Sequence, residues 1–168
     1  MKKILLSIIV LSVAFVLMAD DQAVEFKLEN IKGKMVKLSD LQKDGLVIID
    51  FWATWCVPCK NALPKLNELH NKYDNVTVVA ISTDKPRKKD KAVSHIKSNR
   101  FNFVTLFDPT KTVQKQFNVT NIPRTLMIDP EGNIIYDHTG FQRGDEVEYE
   151  EVIQSWLEDQ AAKEQLQE

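Results

Sequence analysis

The sequence predicts an α/β fold, with a central mixed sheet and helices on both of its faces. Three observations predict it. Leu46 to Trp52 and Val76 to Ser82 are mostly apolar runs of strand length, as expected for strands covered on both faces. Between them Ala62, Leu63, Leu66, Leu69 and Tyr73 recur at helical spacing, so strand, helix and strand alternate. The chain then closes with a hairpin and a last helix, which adds antiparallel strands to a parallel centre.

Lys2 and Lys3 precede an apolar stretch from Ile4 to Met18 that is broken only by Ser7 and Ser12, and Ala19 gives way to Asp20 and Asp21. Residues 1–19 therefore read as a secretory signal peptide, with cleavage after Ala19. The run is marginal for a membrane span of about 20 residues, and an uncleaved N-terminal membrane anchor is the alternative. No cysteine lies near the junction to carry a lipid. Either reading places the folded part, residues 20–168, in the periplasm or another extracytoplasmic space, where disulfides persist.

Val24 to Leu28 and Met35 to Leu38 read as two short strands about the turn at residues 30–34, an N-terminal β-hairpin. The central strand Leu46 to Trp52 and the helix Val57 to Tyr73 follow. After the strand Val76 to Ser82 come a helix from Asp90 to Asn99, with Ala92, Val93 and Ile96 on one face, and a short strand from Phe103 to Phe107. Thr110 to Phe117 is a short helix. Thr125 to Ile128 and Asn133 to His138 form a hairpin about Asp129-Pro130-Glu131-Gly132, and the last helix starts near Asp145.

The whole chain carries 22 basic and 24 acidic side chains, and losing Lys2 and Lys3 would leave 20 and 24, a net charge of −4. An acidic excess argues against nucleic acid as a partner, because that binding uses a positive face. The clearest basic run, Lys85 to Lys91, is interrupted by Asp90 and reads as a solvated helix start. There is no internal repeat, low-complexity segment or linker to divide the remaining chain, and its length suits one core.

The only two cysteines lie in Trp55-Cys56-Val57-Pro58-Cys59, where the central strand hands over to a helix. A thiol at a helix N-terminus meets unpaired N–H groups and the positive end of the macrodipole, which favour the reactive thiolate. The spacing fits thiol–disulfide exchange. A zinc site needs four ligands, and His70, His95 and His138 are scattered without ligand spacing. A purely structural disulfide here would close a very short loop and add little stability.

The run Asp50-Phe51-Trp52-Ala53-Thr54-Trp55-Cys56-Val57-Pro58-Cys59-Lys60 resembles a thioredoxin-fold active site, and in particular the exported TlpA-like branch. Asn121-Ile122-Pro123-Arg124-Thr125-Leu126 resembles the family's cis-proline loop. The resemblance covers about residues 23–158 and implies a thioredoxin-like fold. Relative to thioredoxin itself, the interval from Cys59 to Pro123 leaves room for an inserted helix and strand at about residues 87–107.

By this resemblance Cys56 is the nucleophile and Cys59 resolves the mixed disulfide. Asp50, a carboxylate in an apolar strand, takes the place of the buried acid that helps deprotonate the resolving thiol. Pro123 sits beside the sulfurs after a cis bond. Trp55, Val57, Pro58, Ile122 and Arg124 are candidate substrate contacts, with Ile122 offering backbone to an extended substrate and Arg124 an exposed charge. Trp52 is packing or rim. Pro64 should kink the redox helix.

The function implied is an exported thiol–disulfide oxidoreductase, acting as a monomer without cofactor or metal. It would reduce disulfide-containing extracytoplasmic proteins and be re-reduced by a membrane thiol transporter. Apocytochrome c maturation is a task of close relatives, although no residue singles it out. The alternatives are an oxidase or isomerase and, from another class, a metallochaperone, whose cysteines are spaced further apart in copper-handling relatives. The peroxidase branch has a different motif around its cysteine.

Overall fold

The computed structural model describes residues 22–166, so the expected signal segment and its cleavage point lie outside the described residues. Seven strands form one mixed sheet: β1 (Lys27–Asn30), β2 (Met35–Lys37), β3 (Leu46–Trp52), β4 (Val76–Ser82), β5 (Val104–Phe107), β6 (Arg124–Ile128) and β7 (Ile134–Thr139). Their order is β2-β1-β5-β4-β3-β6-β7. The centre, β3 with β4 and β4 with β5, is parallel; β6 and β7 on one side and β1 and β2 on the other are antiparallel. The helices are α1 (Leu38–Leu41), α2 (Val57–Lys72), α3 (Lys89–Ser98), α4 (Thr112–Gln116) and α5 (Asp145–Gln165).

Every residue of β3 is buried, because side chains alternate between two apolar cores. Leu46, Ile48 and Trp52 pack with α2, α3 and α5, whereas Val47, Ile49 and Phe51 pack with Phe26, Leu38, Val113 and Phe117 on the other face. On α2 the buried residues Ala62, Leu63, Leu66 and Leu69 form the stripe that lies on the sheet. Each buried leucine contributes about 1.5–3 kcal/mol, so Leu66→Ala should cost about 2–5 kcal/mol once the cavity is included. Pro64 lies inside α2, which begins at Val57 and continues to Lys72.

The inserted stretch is ordered as a 3-10 turn at Pro86–Lys88, then α3, then β5. Its strand sits within the sheet, parallel to β4 and antiparallel to β1, so the N-terminal hairpin is carried on its outer side. Two details depart from the sequence reading. The first strand lies at Lys27–Asn30 instead of residues 24–28, since the Asn30 side chain accepts the Lys32 and Lys34 amides and fixes the turn register there. Residues just before it are held elsewhere: the Ala23 amide donates to the Gly132 carbonyl and Leu38 to Phe26.

The second departure is α1 and the 3-10 turn Gln42–Asp44 that follows it, which fill the path from hairpin to β3. Buried Leu38 anchors this path to the core. It ends at Gly45, with φ +127°, where a Cβ would lie 2.3 Å from the Asn75 carbonyl oxygen. Only glycine admits that backbone conformation and that approach.

Candidate active site

At the end of β3 the chain makes the turn 53–55 and enters α2 with Cys56 as N-cap, in extended backbone conformation. The Cys59 amide nitrogen lies 3.2 Å from Cys56 Sγ, so an orphan N–H of the first turn is aimed at the first sulfur. Pro58 occupies the same turn, where its missing N–H removes no intrahelical bond. Cys56 and Cys59 are joined in a disulfide with an S–S distance of 2.03 Å. When that bond is reduced, the same amide and the helix dipole favour negative charge on Cys56.

The two sulfurs differ slightly in access, and the nucleophile is the more open of the two. Cys56 is 5% exposed and Cys59 is fully buried. Trp55 and Val57, the chain neighbours of Cys56 on either side, are each 62% exposed, so the buried sulfur is flanked in the chain by two exposed apolar side chains. Pro58 is exposed as well. Trp52 is wholly buried, its ring 5.6 Å from that of His95, so it is a packing residue. Burial, and then the nearby Lys60 charge, hold the His95 imidazole below the usual histidine pKa.

The Ile122–Pro123 peptide bond is cis, and the Ile122 carbonyl oxygen lies 3.7 Å from Cys56 Sγ. Pro123 is buried and its carbonyl accepts the Gly140 amide. Arg124 differs from expectation. It lies in β6, its guanidinium donates to Thr139 Oγ1 at 3.0 Å and pairs with Asp137, and its side chain is only 21% exposed. Cross-strand partners on β7 hold this charge, so Arg124 is not the exposed, free cation anticipated.

Asp50 is fully buried in β3 between Ala80 of β4 and Thr125 of β6. By the two-residue alternation it shares the sheet face of Ile48 and Trp52, the face on which Cys59 and Tyr149 pack. Burial pushes its carboxyl up to about 8, against a smaller lowering by the Thr125 hydroxyl. Thr125 Oγ1 donates to Asp50 Oδ1 at 3.1 Å and lies 3.2 Å from the hydroxyl of buried Tyr149. Since the single Thr125 proton goes to Asp50, the Tyr149 hydroxyl is the donor to Thr125. Asp50 Oδ2 has no hydrogen-bond partner among the described residues.

Asp84 was missed from sequence, and it holds the turn that precedes Cys56. Its carboxylate accepts the Thr54 amide at 2.8 Å, the Thr54 hydroxyl at 3.0 Å and the Ser82 hydroxyl at 3.2 Å, all buried. The Thr83 amide adds a bond to the Trp52 carbonyl. A signal existed: Asp84 lies just past the end of a parallel strand, and sites collect at the carboxyl ends of such strands. Tyr149 gave no comparable signal, because its α5 position is defined only once α5 docks on the sheet. Among the described residues no group of three or more His, Cys, Asp or Glu is placed to hold a metal ion.

The match that decides the family is to the AhpC/TSA family, over residues 19–137. The chain belongs to that family. Thiol-disulfide oxidoreductase ResA of Bacillus subtilis is 32% identical over 118 residues, 70% of this chain and 65% of the relative, so this chain spans just under two thirds of that protein. Thioredoxin-like protein YneN of Bacillus subtilis is 33% identical over 129 residues, 76% of this chain and 75% of the relative. Among solved structures, a candidate thiol:disulfide interchange protein DsbE from Chlorobium tepidum superposes with a TM-score of 0.75 at 31% identity, covering 82% of this chain and 96% of that one. This AhpC/TSA member has a thioredoxin-like fold and is a thiol–disulfide oxidoreductase, with Cys56 and Cys59 as its dithiol pair.

Proposed function

We propose that the protein is an exported reductant of disulfides in extracytoplasmic proteins. The observation that carries the chemistry is the Cys56–Cys59 pair at the start of α2, with the Cys59 amide aimed at Cys56 Sγ and the Asp50 carboxyl buried on the face where Cys59 packs. In the reduced protein the Cys56 thiolate attacks one sulfur of a substrate disulfide. That S–S bond breaks, one substrate thiolate leaves, and the other sulfur stays bonded to Cys56. Cys59 then loses its proton to Asp50 Oδ2, and its thiolate attacks Cys56 Sγ and expels the second substrate thiolate. The substrate gains two electrons. Of the two protons its thiolates take up, one is returned by Asp50, which regains its carboxylate, and the other comes from the water that had received the Cys56 proton, leaving the protein as the disulfide seen here.

With its carboxyl near 8, roughly a tenth of Asp50 is ionised at pH 7. The resolving step should therefore quicken as pH rises toward 8. Each cycle consumes the dithiol, so a dithiol donor must restore it, and a membrane thiol transporter fits a protein outside the cytoplasm. Export rests on the charged and apolar segment at residues 1–19. Trp55, Val57, Pro58 and the Ile122 backbone form the surface an extended substrate would meet, with strand-like pairing at Ile122.

The reduction potential of the Cys56/Cys59 pair tests the direction. A reductant should lie below about −220 mV, toward thioredoxin at about −270 mV, and a value above about −180 mV would make the protein an oxidase or isomerase instead. Cys59→Ser should trap a substrate on Cys56, whereas Cys56→Ser should form no mixed disulfide. Alkylation of Cys59 before Cys56 would overturn these roles.

A further inference from the structure

The basic run that reads as a solvated helix start lies, in the folded chain, beside the redox site. Trp55, Asp84, Lys85, Arg87 and Lys88 line one depression, which Trp55, the chain neighbour of Cys56, and Asp84, bonded to Thr54, tie to the redox turn. Lys85 and Arg87 are exposed, Lys88 partly so, and among the described residues none of the three forms an ion pair. Asp84 is the only acid in the lining, and its carboxylate is turned inward to Thr54 and Ser82. Three cations facing one internally bonded carboxylate leave the depression positive.

This charge opposes the balance of the chain, which is −2 overall. The acidic excess is concentrated on α5, which carries eight carboxylates against Lys163 alone. Net charge therefore misrepresents the field at this depression. The basic turn is also shaped in advance: Pro86 opens the 3-10 turn and the Lys88 amide donates to the Lys85 carbonyl at 2.8 Å. Fixing the backbone beforehand lowers the ordering cost of binding. At about 170 Å³ the depression is smaller than the roughly 300–1,000 Å³ of small-molecule sites, so it suits side chains of a polypeptide lying across Trp55.

We propose that Lys85, Arg87 and Lys88, with Trp55 as apolar platform, form a docking surface that selects disulfides flanked by acidic residues in an extended polypeptide segment. The proposal rests on the oxidoreductase reading and deepens it by naming the substrate class. The segment places aspartates or glutamates over the basic turn while its disulfide reaches Cys56. Attraction across an open surface acts mainly on encounter rate and fades with salt.

The test uses three disulfide-bearing peptides that differ only in flanking residues, acidic, neutral or basic, and measures their reduction by the dithiol protein. At low salt the acidic peptide should be reduced about tenfold faster than the basic one, the lower end of electrostatic steering. The ratio should fall toward one near 1 M salt, where the screening length is about 3 Å. Lys85→Gln/Arg87→Gln/Lys88→Gln should bring the low-salt ratio close to one, and Lys85→Glu/Arg87→Glu/Lys88→Glu should invert it. The ratio is taken within each variant, so altered overall activity does not affect it. Equal low-salt rates on the three peptides, or an unchanged preference in the charge-reversed protein, would overturn the proposal. Failure of the wild-type protein to reduce even the neutral peptide would instead overturn the oxidoreductase reading, and the docking surface with it.

Discussion

Asp50 is ionised in the unfolded chain above its ordinary value of 3.8 but stays protonated in the folded protein up to about 8. Below 3.8 both states hold the proton and the residue contributes no pH dependence. Between the two values the unfolded state binds fewer protons than the folded state, so stability falls as pH rises. The slope is about 1.4 kcal/mol per pH unit, and above 8 the loss levels off. At pH 7 the span is about three units, an upper figure of roughly 4 kcal/mol, which relaxation around the carboxyl reduces to about 2–4 kcal/mol.

Asp50→Asn keeps the shape and an acceptor for Thr125 but cannot ionise, so the loss should disappear. The assay is urea unfolding of both proteins in the disulfide form, which keeps thiol titration out of the comparison, at pH values from 5 to 9. Wild type should lose stability relative to the variant by about 1 kcal/mol per pH unit up to pH 8 and then run parallel to it. The slope matters more than the offset, because a buried Asn amide brings its own desolvation cost. Parallel curves across the whole range would refute the raised carboxyl and the proton-acceptor role built on it.

Tyr149→Phe removes the donor to Thr125 and so weakens the Thr125 bond to Asp50; the pH midpoint for release of a Cys56-linked substrate should move upward, and further in Thr125→Val. Stopped-flow rates between pH 6 and 9 measure it. Asp84→Ala leaves the buried Thr54 amide unpaired and should cost about 2–4 kcal/mol in urea unfolding, with faster exchange of that amide. Arg124→Ala should cost about 1–2 kcal/mol, because its pair with Asp137 and its bond to Thr139 are only partly exposed, and should change reduction of acidic and neutral peptides equally. The His95 imidazole should titrate below pH 6.5 by NMR; its stabilising neutral form is lost as pH falls through that range, because the unfolded state then binds more protons.

By itself the sequence determined the elements whose local pattern and burial agree. β3 and β4 are read correctly to the residue, since seven-residue runs covered on both faces leave no alternation to misjudge. α2 is legible from its leucine stripe and the proline in its first turn, and the dithiol pair from its spacing at a strand-to-helix junction. The short edge elements were legible only approximately. The start of β1 and the presence of α1 depend on side-chain turn bonds at Asn30 and on a close backbone approach at Gly45, contacts between residues that periodicity does not register.

Only the tertiary structure decided the rest of the site. Asp50 is visible in the sequence as a carboxylate among apolar residues, but its partners Thr125 and Tyr149 come from β6 and α5, 75 and 99 positions later. Asp84 meets Thr54, and the Lys85 turn meets Trp55, because β3 and β4 are parallel and end side by side. The same pairing logic removed Arg124 from the free charges, since β7 brings Asp137 and Thr139 alongside β6. Charge and hydrogen-bond partnership act through space over a few ångströms, and that separation is fixed by strand order and register, which local sequence pattern does not encode.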